Sequence, residues 1–218
     1  MHGAPRRRRL WSTRFAAAVR WLHIYISLLG FTALLFFAVT GITLNHPAWF
    51  GGDAPQMTTL EGAVDPAWLH LPGDSPTTED GEIDHVRQVD RLAVVEHLRS
   101  AQGLRGAVSE FRVDEYECLV LFKRPGYAAD VYLSRDTFDN TATTTEMGTV
   151  ALINDLHKGR DTGPIWSWVI DLSAALMTVV SITGIVLIFY IKRRRWSGII
   201  TAVVGTILFA AAWLFGVP

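Results

Sequence analysis

Residues 20–50 read RWLHIYISLLGFTALLFFAVTGITLNHPAWF. Residues 21–44 of that stretch contain no Asp, Glu, Lys or Arg. A bilayer core of ~30 Å is crossed by a helix of about 20 apolar residues, so the run predicts a transmembrane helix. A cleaved leader would have a core of only roughly 7–15 residues and a small-x-small site after it; no such site follows. A histidine stands near each end, His23 and His46. The fold is decided by what else in the chain resembles this run, and the function by what those imidazoles meet.

Two further runs are long enough to span. Residues 165–191 read IWSWVIDLSAALMTVVSITGIVLIFYI, and residues 197–217 read SGIITAVVGTILFAAAWLFGV. Only the basic turn 192–196 separates them, which forces an antiparallel hairpin. The first twenty residues carry six arginines and no acid, and Lys192, Arg193, Arg194 and Arg195 form a second basic knot. Basic clusters next to spans stay cytoplasmic. The basic tail 1–20 is therefore expected inside, residues 45–164 outside and the C-terminus outside. Both clusters fall on one side in a three-span chain. Trp21 and Trp196 suit the inner interface, and Trp49, Trp166, Trp168 and Trp213 the outer one.

The formal net charge of −1 conceals this asymmetry. Between His46 and Pro164 twenty acids face ten bases. With the bases flanking apolar spans, the pattern argues against a nucleic-acid partner. Cys118 is the sole cysteine, so no internal disulfide exists. Residues 51–82 are rich in Pro, Gly, Thr and acid and read as loop, with a short packed piece at 67–71. VDRLAVVEHLRSAQG, residues 89–103, has helical apolar spacing and a stop at Gly103. GAVSEFRV, YECLVLFK, YAADVYLS and FDNTATTTE predict three or four antiparallel strands, with turns at Asp114-Glu115, Arg124-Pro125-Gly126 and Arg135-Asp136. MGTVALINDLHKGR predicts a closing helix. The sum is a small α+β domain inserted between spans. It shows no nucleophile or zinc motif, and no catalytic residue is assigned. His70, His85 and His97 are expected on its surface without a role, and Cys118 in its core.

At ~1.5 Å per residue His23 and His46 lie roughly 35 Å apart on one helix, so they cannot hold one ligand. His46 and His157 both belong at the outer interface, on two segments. That is the arrangement a bis-histidine haem requires. Gly30, seven residues after His23, shares its face with Ser27 and Gly41; small residues there let a macrocycle, or simply another helix, come close. Asp171, the one acid inside a span, either orients a ligand histidine or pairs with Arg160. His23 has no second histidine at its depth except His2. It therefore either binds a haem completed by another chain or sits at the interface with a purely structural role.

Leu22-His23 with Thr40-Gly41, and Leu156-His157 with Thr183-Gly184, form the same motif twice, in opposite directions through the membrane. These residues resemble the PepSY-associated transmembrane helix family, and the outer segment is similar in pattern to a PepSY module. Larger relatives look like haem-containing ferric-siderophore reductases. The resemblance therefore implies haem b held by His46 and His157, with His23 as a second site. An electron-transfer protein would take electrons from a quinol or flavoprotein and pass them to a periplasmic redox partner or ferric complex. The other reading is a membrane anchor or accessory subunit, in a homodimer or larger complex, whose PepSY-like domain binds a periplasmic partner. The resemblance places either one in a bacterial inner membrane. No peptidase machinery is present.

Overall fold

The computed structural model describes residues 5–50, 54–70 and 85–217. His2 and much of the acidic 51–82 stretch lie outside the described residues. The described chain runs α1 (Pro5–Asn45), β1 (Gln56–Ala63), α2 (Pro66–Leu69), α3 (Arg91–Gln102), β2 (Ala107–Val113), β3 (Glu117–Arg124), β4 (Tyr127–Ser134) and β5 (Asp139–Glu146). Helices α4 (Gly148–Lys158), α5 (Gly163–Tyr190) and α6 (Arg195–Gly216) complete it. Three helices are long and apolar enough to cross a membrane: Trp11–Asn45 within α1, then α5 and α6. The chain is thus a multi-pass membrane protein with a five-stranded antiparallel sheet inserted after its first span.

The chain divides into two compact units, residues 37–167 and the remainder, with the boundaries inside α1 and α5. In the inserted unit the strand order is β1-β5-β4-β3-β2, antiparallel throughout. Strands β2 to β5 form the expected meander. Strands β3 and β4 alternate inward and outward with period two. Cys118, Val120 and Phe122 of β3, with Ala129, Val131 and Leu133 of β4, are wholly buried. Helix α3 covers this face with Val94 and Leu98, also wholly buried, and α2 adds Leu69. Asp90 caps α3 by accepting the Ala93 N–H at 3.0 Å, and Gly103 ends it with φ +68°, the left-handed conformation glycine adopts at least cost.

The strand β1 corrects the expectation of a loop before residue 64. Residues Gln56–Ala63 pair in full with β5, from Gln56 opposite Glu146 to Ala63 opposite Asp139. It is an edge strand, and only Leu60 and Gly62 are even half-buried. Arg135, in the β4–β5 turn, is 3 % exposed. Its guanidinium donates to the carbonyls of Asp114 and Glu115 at 2.9 and 3.2 Å, to Gln88 Oε1 at 2.9 Å and to the Leu69 carbonyl at 3.4 Å, tying three segments together. His70 and His97 bond to the carbonyls of Arg135 and Ala63 at 3.2 and 3.0 Å, and His85 Nδ1 lies 3.3 Å from an Arg135 nitrogen. These three rings, His70 among them on the surface, are ties within the domain.

In the other unit α1 begins at Pro5, so the described part of the basic tail is a helical extension of the first span. Its covered residues between 11 and 36 are Ala16, Val19, His23, Ile26, Ser27, Gly30, Ala33 and Phe36. A stripe that recurs every three or four residues and is rich in small side chains is how helices pack in a membrane. Gly30 takes its place in the stripe: a Cβ there would stand 3.5 Å from Leu176 Cβ of α5. It is a packing position. Helix α6 buries no residue.

Candidate functional site

Histidine meets threonine twice. On α1, His23 Nδ1 lies 2.8 Å from Thr183 Oγ1 of α5. In the inserted unit His157 Nδ1, on α4, lies 2.6 Å from Thr40 Oγ1 of α1. Each ring also rests on the glycine that follows its threonine. A Cβ on Gly184 would stand 3.4 Å from His23 Cε1, and one on Gly41 would stand 3.6 Å from His157 Cε1. The repeated motif is therefore crossed: the Leu-His of each copy is received by the Thr-Gly of the other. A Cβ at either glycine would sit in ordinary van der Waals contact with the ring, so the glycines mark how closely each ring lies against the neighbouring backbone. Thr40 and Thr183 are both buried.

The hydroxyls decide which ring nitrogen carries the proton. Thr183 Oγ1 has one hydrogen and two carbonyls in reach, Val179 at 2.7 Å and Val180 at 3.0 Å. With that hydrogen given to the backbone, Thr183 accepts from His23, so the His23 proton is inferred on Nδ1. Nε2 then keeps its lone pair. Thr40 repeats the arrangement, its hydroxyl reaching the Phe37 carbonyl at 3.4 Å and receiving His157 at 2.6 Å. Among the described residues no hydrogen bond engages Nε2 of either ring. An imidazole held by its Nδ1–H with a bare Nε2 is the form that ligates a metal or takes up a proton.

The surroundings of His157 are further fixed. Phe37 meets its ring edge-on, with centroids 5.3 Å apart. One turn along α1, Thr43 Oγ1 donates to Asn154 Oδ1 at 3.0 Å. The Trp166 indole donates to the Leu156 carbonyl at 2.8 Å, closing the bend between α4 and α5. Asp155 accepts the Gly126 N–H at 3.0 Å, joining α4 to the β3–β4 turn.

The other expected site residues lie apart from these pairs. His46 ends α1 with its ring stacked on Trp49, centroids 3.8 Å apart and planes within 4°, and its Nε2 is 3.0 Å from Asn45 Nδ2. Among the described residues His46 and His157 share no contact. Arg160 pairs with Asp155 at 4.0 Å. Asp171 is exposed on α5. Among the described residues no group of three or more His, Cys, Asp or Glu side chains is placed to hold a metal ion. The threonine partners of the histidines escaped sequence reasoning, although the signal was present: in two antiparallel copies of one motif, the start of each lies beside the end of the other.

A family model described as PepSY_TM-like matches residues 17–217. No curated protein and no solved structure matches the chain.

Proposed function

The chain belongs to the PepSY_TM-like family, and from that premise we propose that it is a b-type haem electron-transfer protein of the bacterial inner membrane. One observation carries the reading: His23 on the first span and His157 on α4 are each held through Nδ1 by a buried threonine, which leaves each an Nε2 lone pair. That donor chemistry fits an axial ligand, whose second nitrogen is ordinarily fixed by an outer hydrogen bond. His46 fits less well, because Asn45 and Trp49 already engage it; it would join His157 only by turning off that stack. At His23 the second ligand comes from another chain. Haem supplies reversible one-electron transfer. The residues of this chain fix the rings, keep each proton on Nδ1 and surround them with apolar helix. With the basic clusters inside, His23 faces a quinol or flavoprotein donor. His157 then faces the side of the PepSY-like domain, which would dock a ferric complex or periplasmic redox partner.

Absorption spectra of purified protein, oxidised and reduced, test this. The expected result is a haem spectrum that weakens by about half in His23→Ala and in His157→Ala alike. Colourless protein from haem-replete cells overturns it.

A second reading has its own observation. Each ring is wedged between a threonine and a glycine of a neighbouring helix, which is also how a helix lock is built. We propose on that basis that a colourless chain would be a membrane tether, its acidic domain binding a partner, and that His157→Ala would then lower helix stability and change no spectrum.

A further inference from the structure

We propose that the cleft between α5 and α6 holds one anionic phospholipid, with its phosphate at Lys192, Arg193, Arg194 and Arg195 and an acyl chain along the cleft. The cleft has a volume of about 400 Å³, within the range of small-molecule sites. Its wall is apolar, formed by Ile185, Ile188 and Phe189 of α5 and Ile199, Ala202 and Val203 of α6. Ile188 sits over Gly198, where a Cβ would collide with it. Glycine at that position lets the two helices touch beside the turn.

The turn supplies the second half of the site. Phe189 precedes Lys192 by three residues, and Gly198 follows Arg195 by three, so the basic run is about one helical turn from the wall on either side. Lys192, Arg193, Arg194 and Arg195 are all exposed. Arg195 lies over the Trp196 ring, 5.5 Å from its centroid, an aromatic suited to the headgroup level. The membrane unit offers these cations no counter-charge. Residues 1–36 hold no acid, and the single acid of residues 168–218 is Asp171, twenty-one residues and roughly 30 Å away along α5. Within this unit no carboxylate lies near the run, which leaves it open to an anion from outside. At the end of a hairpin of two spans, beside an apolar cleft open to the bilayer, the group that offers phosphate and hydrocarbon together is a phospholipid. The proposal is independent of haem.

The test is native mass spectrometry of the full chain in detergent, offered equal amounts of phosphatidylglycerol and phosphatidylcholine with identical acyl chains. The expected result is one retained phosphatidylglycerol, favoured at least tenfold. Replacing Lys192, Arg193 and Arg194 by Gln should bring retention down to the phosphatidylcholine level, at about fivefold per cation removed. Ala202→Phe keeps every cation and fills the cleft, and should also release the lipid; Val203→Phe repeats the test if that variant misfolds. Equal retention of the two lipids by the wild-type chain overturns the proposal. So does undiminished retention in the folded cleft-filled variants, and so does glycerol phosphate displacing the lipid at equal concentration, which would reduce the site to its charges.

Discussion

The two units are built inside out with respect to each other. In the inserted unit the wholly buried side chains are Phe122, Leu69, Leu98, Leu133 and their aliphatic neighbours, as in any water-soluble domain. In the spans the order reverses. The buried residues of α5 are Ser173 and Thr183, those of the α1 span are Ala16, Val19, Gly30, Thr40 and Thr43, and α6 has none. Leu208, Phe209 and Phe215 lie on the outside. Hydrocarbon lipid removes the drive to hide apolar groups, so small and hydroxyl side chains take over helix contact. The same residue type thus has opposite value in the sheet core and in the spans.

The largest expected effect breaks the comparison if it fails. Phe122→Ala should cost about 3–5 kcal/mol, read as a lowered melting point of the sheet signal, whereas Phe209→Ala should leave both units unchanged. Equal effects would show that burial does not separate them. Next comes pH. Burial pushes the Cys118 thiol up to about 11 from its ordinary 9, with nearby acids adding to the rise and Arg135 opposing it. The folded domain therefore holds this proton more tightly than the unfolded chain. Its contribution, on the order of 2–3 kcal/mol, is complete below pH 9 and is lost as pH rises through about 11. Alkaline melts of wild type and Cys118→Val should run parallel below pH 9, diverge between pH 9 and about 11, and stay apart above it.

A third change touches backbone alone. A Cβ on Gly103 meets nothing within 4 Å, but φ there is +68°; Gly103→Ala should cost about 1 kcal/mol, measured by urea unfolding. The smallest change sharpens the membrane side. Thr183→Val keeps volume and removes the acceptor for His23, worth about 0.6 kcal/mol in a bilayer. Its clearer readout is ¹⁵N NMR of the ring, where the proton should leave Nδ1 of His23 while His157 stays as it was. Thr40→Val should do the converse.

How far these features could be read from residues follows the same division. Spans announce themselves by the length of an apolar run; the helix capped by Asp90 and Gly103, and strands β3 and β4, do so through apolar periodicity, because burial writes that period. Strand β1 does not: in QMTTLEGA the ladder to β5 does the holding, and an edge strand with an open face needs few apolar residues. The extension of α1 to Pro5 was hidden by its arginines, which signal charge while also favouring helix. Reasoning by depth alone placed His46 with His157, yet the ring of His46 finds Trp49 three residues away. Arg160 likewise meets a local partner, Asp155, five residues before it. Local partners win where the chain has already placed them together.

The register of β1 on β5 has a mechanical side. Gln56, where the chain enters the sheet, lies opposite Glu146, where it leaves for α4. The two tethers of the sheet are therefore attached at the same end of one ladder. Tension applied through them does not shear eight pairs at once. It peels them singly, beginning with Gln56 and Glu146, so this domain yields to a modest pull along its own connections.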